Sequence, residues 1–152
     1  MFRSIVYFAG AIRGDRVAAE AMIALVDFLK ELGVSVPSEH VRTVDPVKYF
    51  DEKIGKGSKL SEEEIERQDT EWVNQATHLL AEVSGASTGT GIEISHARAH
   101  GKKILCLYRK DRELVVSAMV RGMTKKRYPN VSIKTYTSLD EAKAFVKEFI
   151  FV

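Results

Sequence analysis

The sequence lacks the features of several specialised protein classes. Its single cysteine, Cys106, cannot form an internal disulfide, which excludes a disulfide-stapled scaffold. No apolar stretch approaches the roughly 20 residues of a membrane-spanning helix, and we find no repeats or low-complexity segments. The 23 Lys and Arg against 21 Asp and Glu leave a formal net charge of +2. We therefore expect no extended basic surface for duplex nucleic acid, although a small anionic ligand remains possible.

The composition fits one compact domain over residues 1–152, because 152 residues with 45% hydrophobic content are too few for two ordinary domains. Residues 1–7 enter a predicted strand without a basic region followed by a long apolar run, so we expect a cytoplasmic protein with no membrane partner. Cys106 lies in the apolar run of residues 104–107 and is interpreted as a core residue rather than a catalytic thiol.

Short apolar runs alternate with helical patterns, which predicts an α/β fold with a five-stranded parallel sheet covered by helices. Helices are predicted over residues 17–32, 61–76 and 138–149, the last two opening with the capping boxes Ser61/Glu64 and Ser138/Glu141. The predicted strands are residues 4–8, 34–37, 78–83, 103–108 and 131–136.

Asp69 interrupts the apolar face of the second predicted helix, where Ile65, Trp72 and Ala76 form one stripe. A carboxyl group partly buried beside Trp72 would have a raised pKa, which suits a proton donor. The alternative is that Asp69 lies at the edge of the stripe and pairs with Arg67 or with a cation from a loop.

Glu93 follows the glycine-rich turn of residues 87–92, where a strand should lead into a helix. A helix beginning near Gly89 or Thr90 would place Glu93 in its first turn, and the helix dipole would then keep the carboxylate ionised. Acidic residues are common in first turns for the same reason, so a purely structural role stays open. Two such carboxyl groups at the ligand-binding edge of a parallel sheet suggest glycosidic bond chemistry.

Four further features of the sequence bear on a binding site. The turn of residues 10–16 offers glycines and two arginines that could clamp a phosphate, or it is an ordinary solvated turn. Residues 51–59 could cover a site or form a linker. Glu93, His96 and His100 have a metal-ligand spacing, but one copy in an α/β frame does not make a di-metal bundle, and no metal is expected. His40 follows the second predicted strand and could contact a base or a phosphate.

Several motifs in order along the chain resemble the 2'-deoxynucleoside 5'-monophosphate N-glycosidases (N-hydrolases) of the nucleoside 2-deoxyribosyltransferase family. The resemblance runs from about Tyr7 to Gly122 and is carried by the combination of motifs. They are residues 7–14 (YFAGAIRG), 39–40 (EH), 68–72 (QDTEW), 81–84 (AEVS), 87–93 (STGTGIE) and 117–122 (SAMVRG).

The resemblance implies a Rossmann-like (flavodoxin-like), doubly wound fold and a homodimer that hydrolyses the N-glycosidic bond of deoxyribonucleoside 5'-monophosphates without a cofactor. By position, Glu93 is the nucleophile, Asp69 the acid and Tyr7 the residue that orients the glutamate. Residues expected to bind substrate are Gly10, Ala11, Ile12, Arg13, Gly14, Asp15, Arg16, His40, Ser87 and Gly89, together with Ser117, Ala118 and Met119 from the neighbouring subunit.

Two departures from the family pattern affect substrate recognition. Ala11 stands where a serine is familiar, which removes a hydroxyl from the expected phosphate site, and Ile92 stands where an aromatic residue is familiar. Two other functions share the same residues: a deoxyribosyltransferase that passes the sugar to another base, and a non-catalytic nucleotide sensor. Phosphate recognition separates the hydrolase from the transferase, whereas loss of Asp69 or Glu93 would have indicated the sensor.

Overall fold

A computed structural model describes residues 3–38, 48, 52, 54–57 and 59–152. Four parallel strands pair in the order in which they occur along the chain. They are β1 (Val6–Ala9), β2 (His78–Glu82), β3 (Lys103–Arg109) and β4 (Val131–Tyr136). The helices are α1 (Ala19–Glu31), α2 (Glu62–Gln75), α3 (Thr88–Ala99), α4 (Ala118–Arg121) and α5 (Leu139–Phe151), with a 3-10 turn at Lys110–Arg112.

The prediction of five strands is wrong, since the sheet formed by the described residues has four. Residues 34–37 contribute only an isolated parallel bridge between Ile5 and Ser35, beside β1. Pro37 has no N–H to donate to a ladder. The hydroxyl of Ser38 instead pairs with the backbone of β1. It accepts from the Phe8 N–H at 2.8 Å and donates to the Phe8 carbonyl at 2.9 Å. One buried side chain therefore replaces the backbone pairing that a longer strand would have supplied.

Alternation along the strands divides the core into two layers, one on each side of the sheet. Tyr7 and Ala9 of β1 face the layer that contains Val73 of α2 and Ile94 of α3. Val6 and Phe8 face the layer built from α1 and α5. Helices therefore cover both faces, and the sheet positions α2 and α3 on the same side as Tyr7.

The helices begin where their caps indicate. Ser61 accepts a hydrogen bond from the Glu64 N–H while the Glu64 carboxylate accepts from the Ser61 N–H, so the predicted capping box of α2 is confirmed. Ser138 caps α5 by accepting from the Glu141 N–H, but the Glu141 carboxylate accepts from the Thr137 N–H, so the capping box predicted there is only half formed. Within the described residues, no helix combines the length and hydrophobicity that crossing a bilayer requires.

A buried glutamate ends β2 on the face opposite Tyr7. Glu82 is 2% exposed, accepts a hydrogen bond from the Tyr136 hydroxyl through Oε2, and accepts from the Ser84 N–H at 2.5 Å through Oε1. Burial raises the pKa of this carboxyl group, although both hydrogen bonds act in the opposite direction. Glu82 thereby ties the end of β2 to β4.

Replacing Tyr136 by Phe should lower the free energy of unfolding by about 1–3 kcal/mol, because a buried carboxyl oxygen would lose its partner. Urea denaturation checks this, with Tyr128→Phe as the matched control because the Tyr128 hydroxyl makes no hydrogen bond to a described residue. Equal stability of Tyr136→Phe and the wild type would show that Glu82 does not depend on this contact.

Candidate active site

Tyr7, Asp69 and Glu93 converge above β1 from three separate elements. The Tyr7 hydroxyl of β1 donates a hydrogen bond to Glu93 Oε2 on α3. The charges of both Glu93 and Asp69 act on Tyr7, whose pKa is raised well above its usual value mainly by burial. The structure thus brings together the three residues that the sequence predicted as catalytic.

Asp69 lies on the core-facing stripe of α2 and has one oxygen without a partner. Its Oδ1 atom is buried and makes no hydrogen bond to any described residue. Burial, and secondarily the nearby Glu66, raise the pKa of Asp69 to about 6. Among the described residues Asp69 pairs neither with Arg67 nor with a loop cation, so one of its carboxyl oxygens is available there.

Glu93 differs from the expectation in both position and charge. Ser87 caps α3, so the helix begins at Thr88 and Glu93 falls in its second turn, where the helix dipole is much weaker. Burial raises the pKa of Glu93 to about 8, against the opposing hydrogen bond from Tyr7, and the charge of Asp69 raises it further. The prediction that Glu93 lies in the first turn of its helix and is held ionised by the dipole there is therefore wrong.

The two carboxyl groups form a coupled pair. With pKa values of about 6 and about 8, Asp69 and Glu93 together hold one proton across the neutral range. Burial raises the pKa of both groups, and the charge of Asp69 further disfavours ionisation of Glu93, so the two resist being ionised together. A pair with one shared proton can supply one acid and one carboxylate at the same time.

The first loop (residues 10–16) lies directly against the second loop (residues 83–87). The Asp15 N–H donates to the Ala86 carbonyl at 3.1 Å. A Cβ atom on Gly14 would stand 2.2 Å from that carbonyl oxygen, and one on Gly85 would stand 1.9 Å from the Asp15 carbonyl oxygen. Both glycines are required because the two backbones touch, and this contact fixes the shape of the loop pair.

Side chains of the first loop point in several directions. Ala11 is 3% exposed and Ile12 packs against the core, so only their backbones can face a ligand. The Arg16 Nη1 atom donates to the Ala11 carbonyl at 3.2 Å. Arg13 is exposed and makes no hydrogen bond or ion pair with a described residue, which leaves its guanidinium available to an anion.

The N-terminus of α3 follows the second loop. Ser87 Oγ accepts a hydrogen bond from the Thr90 N–H at 3.2 Å, which leaves its hydroxyl proton to donate elsewhere. Gly89 lies in the first turn, where an added Cβ would meet no atom within 4 Å. The first turn is therefore open to a ligand and presents free backbone N–H groups.

Residues 117–119 lie outside the cluster of three. Ser117 caps the short helix α4 by accepting from the Met119 N–H, and Met119 is 83% exposed. No hydrogen bond or ion pair between described residues links this segment to Tyr7, Asp69 or Glu93. That Ser117, Ala118 and Met119 bind substrate in a neighbouring subunit stays a prediction.

Some predicted residues lie elsewhere. His40 and part of residues 51–59 are outside the described residues. His96 Nε2 lies 2.7 Å from Asn74 Oδ1 and the His100 ring lies 4.2 Å from that of His96. Among the described residues, no three or more His, Cys, Asp and Glu side chains form a metal-binding group. Cys106 is fully buried with its pKa raised to about 12, which confirms it as a core residue.

A surface cavity of about 660 Å³ lies at the free edge of β4, away from the converging carboxyl groups. It is lined by Lys103, Lys134 and Phe149 among others and contains none of the predicted site residues. The candidate site is therefore defined by its converging side chains and loops, not by this cavity.

Sequence reasoning missed two residues that shape the loops. Arg112, in the 3-10 turn, donates to Asp15 Oδ2 at 2.9 Å and to the Ser84 carbonyl at 3.1 Å. Ser84 belongs to a motif noted in the sequence, but no role was assigned to it. The signal for Arg112 was its position just after the carboxyl end of β3, the edge at which parallel sheets bind ligands.

The chain is similar to several known proteins. The family model described as nucleoside 2-deoxyribosyltransferase matches residues 6–141. A human 5-hydroxymethyl-dUMP N-hydrolase is 39% identical over 79% of the chain and 66% of its own length, just under two thirds. The zebrafish (Danio rerio) protein of that name is 33% identical over 95% and 94%.

A protein named as a putative 2'-deoxynucleoside 5'-phosphate N-hydrolase from Thermofilum pendens is 33% identical over 90% of the chain and 88% of its own length. Among solved structures, the CMP N-glycosidase BcmB of Clostridium botulinum superposes with a TM-score of 0.67 at 22% identity, covering 96% of this chain and 99% of that one. At that identity the likeness concerns the fold alone.

Replacing Glu93 by Gln should stabilise the protein increasingly as the pH rises. Because the folded state raises the Glu93 pKa from 4.5 to about 8, folding becomes less favourable as the pH rises through this range. The variant escapes this loss, so its Tm advantage should grow between pH 5 and 8 and then level off, reaching at least about 2–4 °C, or about 1 kcal/mol.

The control is Glu63→Gln, which removes an exposed carboxylate of α2. Thermal unfolding across the pH range measures both variants. A pH-independent difference between Glu93→Gln and the wild type would contradict the burial of the Glu93 carboxyl group.

Proposed function

Since the chain belongs to the nucleoside 2-deoxyribosyltransferase family, we propose that it is an enzyme that hydrolyses the N-glycosidic bond of 2'-deoxyribonucleoside 5'-monophosphates. The products are the free base and 2-deoxyribose 5-phosphate. The observation that carries the proposal is the convergence of Glu93, Asp69 and Tyr7 in one site, with an unpartnered buried oxygen on Asp69. The names of the relatives from human, zebrafish and Thermofilum pendens support the same reaction class.

The coupled carboxyl pair supports a covalent route in two steps. The covalent step requires the shared proton on Asp69 and Glu93 as a carboxylate, an arrangement that the positive charge developing at the sugar C1' atom stabilises in the transition state. Glu93 then attacks C1', the bond from C1' to the base nitrogen breaks, and Asp69 gives its proton to the departing base. A deoxyribosyl ester on Glu93 results.

Water resolves the ester. Asp69, now a carboxylate, takes a proton from the water as its oxygen attacks C1', and the bond between C1' and the Glu93 oxygen breaks. Glu93 leaves as a carboxylate and Asp69 ends protonated, so the pair again holds one proton. The Tyr7 hydroxyl stabilises the glutamate by hydrogen bonding whenever it is ionised.

Phosphate recognition falls to the two loops and the start of α3. The exposed guanidinium of Arg13, the Ser87 hydroxyl and the open N–H groups of the first turn of α3 suit a dianion at the carboxyl edge of the sheet. Gly10, Ala11, Ile12 and Gly14 would contribute backbone, and His40 remains a predicted contact. No metal or organic cofactor is assigned a role.

The active form would be a Rossmann-like homodimer in the cytoplasm, with Ser117, Ala118 and Met119 reaching the site of the neighbouring subunit. Exposed apolar side chains grouped near α4 support such an interface, because a cluster of large exposed apolar groups marks a contact region whereas single ones do not. They are Leu114 (93% exposed), Val115 (60%) and Met119 (83%).

A deoxyribosyltransferase is the second candidate, since the matching family model bears that name. Both reactions share the glutamyl ester, and they differ in whether water or a second base takes the sugar. Activity on deoxyguanosine equal to that on its 5'-monophosphate would favour the transferase.

Release of free base should depend on Glu93 and Asp69. With deoxyribonucleoside monophosphates, ribonucleotides and deoxynucleosides as substrates, with and without an acceptor base, chromatography should show release chiefly from the first class. Glu93→Ala should lower the rate at least about 10³-fold while nucleotide binding persists, and Asp69→Asn about 10²- to 10⁴-fold, with partial rescue by a base that leaves unprotonated. An unimpaired Glu93→Ala variant would remove Glu93 from the mechanism.

The dependence of kcat/KM on pH should be bell-shaped, with limbs near 6 and 8. Below about 6 both carboxyl groups are protonated and no nucleophile exists, whereas above about 8 both are ionised and the base cannot be protonated. Tyr7→Phe should move the profile toward higher pH, because the hydrogen bond that lowers the Glu93 pKa is lost. A flat profile from pH 5 to 9 would contradict the shared proton.

A further inference from the structure

An ion pair joins the first loop to the third loop (residues 110–117) across the end of β2. Arg112 Nη2 donates to Asp15 Oδ2 at 2.9 Å, with the two side chains 26% and 43% exposed. The sequence analysis predicted no role for Arg112 or for its ion pair with Asp15. We propose that Arg112 is a positioning residue for phosphate recognition, which holds the first loop in shape and neutralises Asp15 beside the bound phosphate.

Hydrogen bonds to the second loop fix the position of the Arg112 side chain. Its Nε atom donates to the Ser84 carbonyl at 3.1 Å, and the Ser84 hydroxyl accepts from the Arg109 N–H at 2.8 Å. The Ser84 N–H in turn donates to the buried carboxyl group of Glu82. The guanidinium therefore extends from a buried network, and little side-chain freedom is lost when it meets Asp15.

Hydrogen bonds also fix Asp15, through both carboxylate oxygens and its backbone N–H. Its Oδ1 atom accepts from the Val17 N–H at 3.0 Å, Oδ2 accepts from Arg112, and its own N–H donates to the Ala86 carbonyl at 3.1 Å. Both oxygens are thus used within the protein. Asp15 shapes the first loop through these contacts, and its carboxylate is turned to Arg112.

The charges of Asp15 and Arg112 determine how favourably the first loop can bind an anion. A carboxylate in a loop expected to hold a phosphate dianion repels that dianion unless a cation neutralises it. Arg112 supplies this cation while Arg13 stays available for the phosphate itself. Loss of Arg112 would leave a negative charge in the first loop and would release the loop from the third loop.

The inference rests on the proposed function, and its consequence is specific to the phosphate. A nucleoside that shares the base and the sugar but lacks the phosphate should be indifferent to the charge of Asp15. A general structural role for Arg112 would impair both kinds of ligand equally. The ratio between the two ligands therefore separates positioning of the phosphate site from simple stabilisation.

The experiment compares Arg112→Gln, Asp15→Asn and the double variant with a deoxyribonucleoside 5'-monophosphate and the corresponding deoxynucleoside. We expect Arg112→Gln to raise KM for the monophosphate about five- to tenfold with kcat within about threefold, and to leave kcat/KM for the nucleoside within about twofold. The double variant should recover most of the lost affinity, because the unbalanced carboxylate is gone.

Lys110→Gln is the matched control, since it removes an exposed cation two residues away in the same 3-10 turn. An equal effect of Lys110→Gln, an equal loss for both ligands, no loss at all, or no recovery in the double variant would each overturn the proposal. Calorimetric binding of both ligands is measured alongside. A wild type that binds the monophosphate without cleaving it would refute the proposed hydrolysis, while the binding ratio would still decide the role of Arg112.

Discussion

The account depends on two carboxyl groups that burial forces into one poorly solvated space. Asp69 and Glu93 would each ionise readily in water, but their raised pKa values leave one proton between them near neutrality. The hydroxyl of Tyr7 is the group that makes the ionised form of Glu93 accessible. The fold brings these groups together. Tyr7 lies on β1, and α2 and α3, which carry Asp69 and Glu93, pack on the face of the sheet to which Tyr7 points.

Around this pair the architecture separates chemistry from recognition. The two acids lie above the sheet on helices, which are rigid supports. The loops at the carboxyl ends of the strands are expected to bind the phosphate. Those loops are held by backbone contact at Gly14 and Gly85 and by the ion pair of Asp15 with Arg112. We therefore expect the loops to bind the phosphate of the substrate and the two acids to cleave its glycosidic bond, which suits a nucleoside monophosphate.

Local patterns made much of this predictable. The capping residues Ser61 and Ser138 fixed two helix starts, and strand alternation separated the two core layers. The stripe position of Asp69 followed from helical spacing. Predictions failed where distant residues decide: Ser38 satisfies Phe8 in place of a fifth strand, and an earlier start of α3 places Glu93 in the second turn, where it is partly buried beside Tyr7. Arg112 reaches Asp15 only once β1 pairs with β2 and β2 with β3, so its position after β3 was a sequence signal but its partner was not predictable.

Titration of the side-chain carboxyl carbons of Asp and Glu by ¹³C NMR tests the central claim most directly. In the wild type the Glu93 carboxyl carbon should titrate near pH 8, and in Asp69→Asn its midpoint should fall, because the neighbouring charge is gone. A Glu93 midpoint near 4.5 that does not respond to Asp69→Asn would contradict a shared, desolvated site.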